Sequence, residues 1–225
     1  MSSDWPPELA DVRRLVFRRF SERGAPPSPG EIAEELNIDR DEALRRLRDL
    51  HDRHQIVLNR ARDAVRMAHP FSAAPMGFVL RADGDRLWWG GCAWDSFGIV
   101  AALGEELEIT TRCPACARTW TYRAGPDTPP PALTVRLPRP AAEWWDDVVA
   151  TCSDIRVFCD DDHARAYVRE NDLPDGALVP AERMWRLALG WYGDRLDDDY
   201  VPQTQAVRQR QLDELGLDGP FWRLP

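Results

Sequence analysis

The segment from Arg86 to Gly104 restricts the fold of this chain more than any other. Arg86-Leu-Trp-Trp89 has the length and composition of a short strand, Gly90-Gly91 interrupts it, and Cys92-Ala-Trp-Asp95 opens an apolar stretch ending at Gly104. The pattern predicts a strand, a glycine turn and a helix closed by a glycine C-cap. Helical spacing places Cys92 and Asp95 on one face, since i and i+3 positions are neighbours. A second cysteine, Cys152, lies in Ala150-Thr-Cys-Ser-Asp154. Two thiolates can grip one soft metal ion, which thiolates select over hard cations. An acid three residues from one thiol can deliver a proton there. Cys92, Asp95 and Cys152 are therefore the candidate catalytic residues. Each also has a plain structural reading. Cysteine often serves as a small core residue, and an acid in the first helical turn is favoured by the helix dipole. That second role is compatible with proton donation.

Ahead of this segment the chain reads as helical. Glu8 to Arg23 carries Leu9, Val12, Leu15, Val16 and Phe20 at helical spacing. Gly24 to Gly30 is a loop, with Ser28, Pro29 and Glu31 marking a helix start. A short helix from Glu31 to Leu36 and a second from about Arg40 to His54, capped by Asp39, follow. Ile56-Val-Leu58 then suggests the first strand of a wing. This order is that of a helix-turn-helix or winged-helix domain. Its functional reading is DNA recognition, and its structural reading is a packing or dimer module. The would-be recognition helix mixes Arg40, Arg45, Arg46 and Arg48 with Asp39, Asp41, Glu42, Asp49 and Asp52. Its carboxylates would meet phosphate, so electrostatics favours the packing module.

Beyond Phe78 short strands dominate. Phe78-Val-Leu80 and Arg86 to Trp89 flank a turn at Ala82 to Asp85. Leu107 to Thr111 and Thr119 to Tyr122 flank Cys113-Pro-Ala-Cys116, and Leu133 to Leu137 forms another strand. A short helix is expected over Ala141 to Val149, a strand over Ile155 to Phe158, and helices over Asp161 to Asn171 and Pro180 to Gly190. The class is α+β with mixed strands. From Trp191 the chain is polar with weakly periodic Leu212 and Leu215, and reads as a partly docked extension.

Three of these segments resemble the alkylmercury lyases, also called organomercurial lyases. Arg86 to Gly104 is similar to the family's central motif, where a strand leads into a helix carrying cysteine, a small residue, an apolar residue and aspartate. Thr110-Thr-Arg-Cys113 resembles the next strand, which bears a further, mainly structural cysteine. Ala150 to Phe158 resembles the strand holding the second catalytic cysteine. The likeness covers most of Ala68 to about Leu189 and extends more weakly over the N-terminal helices. It implies a winged-helix-like domain at 1–66 with a structural role, a mixed-sheet lyase-like core at 67–190 and an extension at 191–225. It also implies that Cys92 and Cys152 bind mercury and that Asp95 protonates the departing carbon. The products would be a hydrocarbon and Hg(II) held between two sulfurs. The implied substrate is an organomercurial, no cofactor is required, and a mercuric reductase is the expected recipient of Hg(II). A noncatalytic soft-metal-binding protein or a metal-responsive transcriptional regulator is the alternative, and a family member turned to other chemistry is a third reading.

Cys113 and Cys116 form half of a zinc-type knuckle. Completing it needs a partner pair, and Cys159 with His163 qualifies only if the fold brings them there. Without a second Cys-x-x-Cys, the favoured reading is a structural or metal-relay thiol pair. Trp88, Trp89 and Trp94 read as core, with Trp94 placed to narrow a pocket, and His69 as a local packing residue.

The 225 residues carry a net charge of −9, with 44% hydrophobic and 30% charged residues. Their basic residues other than histidine are all arginine, and from Met1 to Arg66 acids and arginines balance. The acidic balance opposes nonspecific nucleic-acid binding. No apolar run reaches the roughly 20 residues of a membrane span. Met1-Ser-Ser-Asp-Trp-Pro-Pro7 lacks the pattern of a secretory signal, and five cysteines, an odd number, suit reduced thiols in the cytoplasm.

Overall fold

The apolar stripe of the first helix folds as its spacing dictates. In the computed structural model, which describes residues 6–225, α1 spans Pro7–Arg23 and buries Leu9, Val12, Leu15, Val16, Phe17 and Phe20. The opening residues, where the leader pattern was sought, lie outside the described residues. α2 (Pro29–Leu36) starts with a capping box in which Ser28 and Glu31 satisfy each other's backbone N–H groups. α3 (Arg40–Asp52) is capped by the Asp39 side chain and buries Ala43, Leu44, Leu47 and Leu50.

Strands β1 (Val57–Leu58), β2 (Val65–Ala68), β3 (Phe71–Ser72), β4 (Phe78–Arg81) and β5 (Leu87–Gly90) precede α4 (Ala93–Leu103). β6 (Leu107–Arg112) and β7 (Thr119–Ala124) form a hairpin, followed by β8 (Thr134–Leu137), a 3-10 turn at Ala141–Glu143 and α5 (Val148–Asp154). β9 (Arg156–Phe158), α6 (Asp161–Glu170), β10 (Ala177–Pro180), α7 (Ala181–Tyr192), α8 (Gln205–Glu214) and a 3-10 turn at Pro220–Trp222 complete the order.

Seven strands make one sheet in the order β1-β2-β3-β5-β4-β6-β7, and β10-β8-β9 make a second. Every pairing is antiparallel, which corrects the mixed sheet expected from the sequence. The reason lies in α4. That helix joins β5 to β6, which run parallel to each other, but β4 lies between them and pairs antiparallel with both.

α4 is buried along nearly its whole circumference, from Ala93 to Ala102. A helix apolar on all sides belongs inside a protein, and here β4 and β5 cover one side while α7 covers the other. Gly98 permits the approach of α7, because a Cβ there would lie 2.5 Å from Tyr192 Cδ2. The N-terminal helices join the same core: Trp88 of β5 donates from Nε1 to the Phe20 carbonyl at 2.8 Å. That bond contributes about 1 kcal/mol beside the much larger burial term. At the other end, Leu212, Leu217 and Trp222 are buried, and Trp222 stands edge-on to Trp144. Among the described residues no helix is long and apolar enough to cross a membrane.

Candidate active site

Cys92 is the N-cap of α4. Its backbone is extended (φ −157°, ψ −176°), so it stands just ahead of the helix rather than on a shared helical face. The thiol folds back over the first turn and accepts the Asp95 backbone N–H at 3.3 Å. Asp95, at the third helical position, is 1% exposed. Cys152 belongs to α5 and not to a strand, correcting the sequence expectation. The Asp147 side chain caps that helix through Ala150 N–H, and Thr151 Oγ1 donates to the Asp147 carbonyl. The two helices are tied where it matters: Ala93 N–H donates to the Ile155 carbonyl at 3.1 Å.

The consequence is a convergence of all three predicted residues. Cys92 and Cys152 line the same cavity, and Cys152 Sγ lies 3.6 Å from Asp95 Oδ2. Two further side chains complete the group. Tyr192, at the end of α7, donates its hydroxyl to Asp95 Oδ1 at 3.0 Å, and His69 Nε2 lies 3.5 Å from Cys152 Sγ. A cavity of about 80 Å³ opens on them, lined also by Trp94, Trp144, Trp145 and Trp191. That is several times the roughly 10–15 Å³ that one water needs. Trp94 stands edge-on to Trp144 and Trp191 at 5.2 and 5.0 Å, so one wall is aromatic and apolar.

Burial favours the protonated form of both site thiols. Burial raises the Cys92 thiol. Cys152 is raised well above its ordinary value, first by the neighbouring Cys92 thiol and then by burial. Cys92 also accepts an N–H at a helix N-terminus, a contact that favours its thiolate. Burial lowers His69, leaving it a neutral imidazole, and raises Tyr192 well above its ordinary value, leaving it a donor. Arg195 and Arg208 also line the cavity.

The alkylmercury lyase family model matches residues 71–193. The chain belongs to the alkylmercury lyase family. As a member it is an organomercurial lyase, an enzyme that cleaves carbon–mercury bonds. Among solved structures, the mercury-bound form of MerB2 is similar, with a TM-score of 0.63 and 20% identity over 86% of this chain and 91% of that one. At that identity the likeness is one of fold. No curated protein sequence matches.

Sequence reasoning missed two residues of this lyase site. His69 reaches Cys152 only through the sheet geometry, and nothing local to His69-Pro70 signals it. Tyr192 fell in the supposed extension, although Met184, Trp185, Ala188 and Trp191 continue one apolar helical face to that point. Of the tryptophans, Trp88 is core, whereas Trp94 lines the cavity. The remaining cysteines gather elsewhere. Cys113, Cys116 and Cys159 place their sulfurs within 4.8 Å of one another at the β6–β7 turn, and none of them lines the cavity.

Proposed function

We propose that Cys92 and Cys152 hold the mercury of an organomercurial and that Asp95 carries a proton to the departing carbon. Cys92 loses its proton to solvent and binds the metal first. The Cys152 thiol then passes its proton to Asp95 Oδ2 as its sulfur joins the mercury. Two thiolates increase electron density on the bound carbon, and Asp95 delivers its proton there as the carbon–mercury bond breaks. The bonding pair becomes the new C–H bond. One organomercurial cation and two thiols thus give one hydrocarbon, a dithiolate-bound Hg(II) and one released proton. Acid catalysis of this kind contributes roughly 10²–10⁴-fold.

The observation supporting these roles is the 3.6 Å approach of Cys152 Sγ to Asp95 Oδ2 in the cavity that Cys92 also lines. Tyr192 and His69 are positioning residues, the first for the carboxylate and the second for the thiol. Hg(II) leaves by exchange onto an outside thiol, and a mercuric reductase in the cytoplasm is the proposed recipient. The winged-helix-like N-terminal segment serves packing, not DNA recognition.

The roles are tested with an arylmercurial and excess small thiol. Wild-type protein is expected to release arene with repeated turnover, and Cys92→Ala and Cys152→Ala each to abolish it. Turnover by either variant at the wild-type rate would remove that cysteine from the mechanism.

A further inference from the structure

The β6–β7 turn carries a thiol cluster that the lyase chemistry does not use. Cys113 follows β6, Cys116 lies on the turn, and Cys159 arrives from the end of β9, which packs against β6. We infer that Cys113, Cys116 and Cys159 form a second, zinc-class metal site, with His163 as its fourth ligand.

The geometry fits a tetrahedral thiolate site. Zinc–sulfur bonds of about 2.3 Å place two sulfurs of a tetrahedron roughly 3.8 Å apart. Cys116 Sγ and Cys159 Sγ lie 3.6 Å apart, and all three sulfurs fall within 4.8 Å. The turn is shaped for the purpose. Cys113 N–H donates to the Arg118 carbonyl and Ala117 N–H to the Cys113 carbonyl, both at 2.9 Å. Ala117 adopts φ +63°, a left-handed conformation that costs a non-glycine residue roughly 1–2 kcal/mol. The turn so closed holds the Cys113 and Cys116 sulfurs within 4.8 Å of each other.

His163 lies on the first turn of α6, four residues after Cys159. Its Nδ1 is 2.7 Å from Asp160 Oδ1. Metal-bound histidines commonly give their other ring nitrogen to a carboxylate in this way, which here leaves Nε2 for the ion. The ring is not among the groups within 4.8 Å, so its joining the three sulfurs requires a side-chain movement. Cys113 is buried and Cys116 exposed, giving the ion a solvent route.

The site is independent of the lyase reading, and the test removes the lyase thiols first. The full-length Cys92→Ala/Cys152→Ala protein is loaded with Zn²⁺ alone, desalted, and its metal content measured. One zinc per chain is expected, and Co²⁺ in its place should show intense thiolate-to-cobalt charge transfer and tetrahedral d–d bands. Adding Cys159→Ser should abolish retention, and Asp160→Asn should weaken it about 10–100-fold. A folded parent variant that retains no zinc, or binds cobalt without charge transfer, overturns the inference. Undiminished zinc retention in Cys159→Ser does the same. Should that variant fail to fold, the cobalt spectrum of the parent decides.

Discussion

The two oxygens of Asp95 have separate partners: Tyr192 donates to Oδ1 at 3.0 Å, and Cys152 Sγ lies 3.6 Å from Oδ2. One oxygen is held and the other is available for proton traffic. Tyr192 comes from α7, 97 positions away, so the packing of α7 on α4 aims the acid. Tyr192→Phe removes the hold while keeping the ring. A hydrogen bond to a charged group contributes about 1.5–3 kcal/mol, and kcat should fall roughly 10–100-fold on that scale, at nearly constant KM. Steady-state kinetics checks this; an unchanged kcat would show that Asp95 is aimed by other contacts.

Gly91 carries a comparable constraint. A Cβ on it would meet the Met67 methyl group and lie 2.5 Å from Asp95 Oδ2. Gly91→Ala should therefore destabilise the fold by about 1–3 kcal/mol through overpacking. It should also lower kcat by displacing the carboxylate. Chemical denaturation and turnover of the same preparation measure both.

The raised thiols set a pH dependence. Because Cys92 and Cys152 are raised in the folded protein, the stabilisation from keeping them protonated is fully present below the unfolded thiol pKa of about 8.5. It is lost as pH rises through the folded values. The urea midpoint should fall at alkaline pH, and Cys92→Ala/Cys152→Ala should flatten that fall. At neutral pH, binding an organomercurial should release about one proton, since metal binding deprotonates thiols and Asp95 takes the second proton. Calorimetry in buffers of different ionisation enthalpy counts it.

Two of the four α3 arginines are paired with acids of their own helix: Arg45 with Glu42 and Asp49, and Arg46 with Glu42. No retardation of duplex DNA is expected at physiological salt. A salt-sensitive, sequence-selective shift in a gel would make the N-terminal helices a DNA reader.

How much of this was legible depended on how local each signal was. α4 was readable from its ends, because Gly90-Gly91 and Gly104 act within a few residues of the helix they bound. α5 was legible only in part: a helix was expected over Ala141 to Val149, whereas a 3-10 turn spans Ala141–Glu143 and the helix Val148–Asp154, started by the Asp147 cap despite β-branched Val148, Val149 and Thr151. β2 and β3 are four and two residues long, too short to leave a period. Cys92, Asp95 and Cys152 could be named because their motifs are contiguous. His69 and Tyr192 could not, since each earns its place through contacts spanning 83 and 97 positions.

The central claim is that binding and protonolysis are separable at Asp95. Single-turnover mixing of Asp95→Ala with a stoichiometric arylmercurial tests it most directly, with bound mercury and free arene measured together. The variant should capture the mercurial through Cys92 and Cys152 and release arene at least roughly 10²-fold more slowly than wild type, leaving a trapped thiolate adduct. Arene release at the wild-type rate would contradict the account and remove Asp95 as the proton donor.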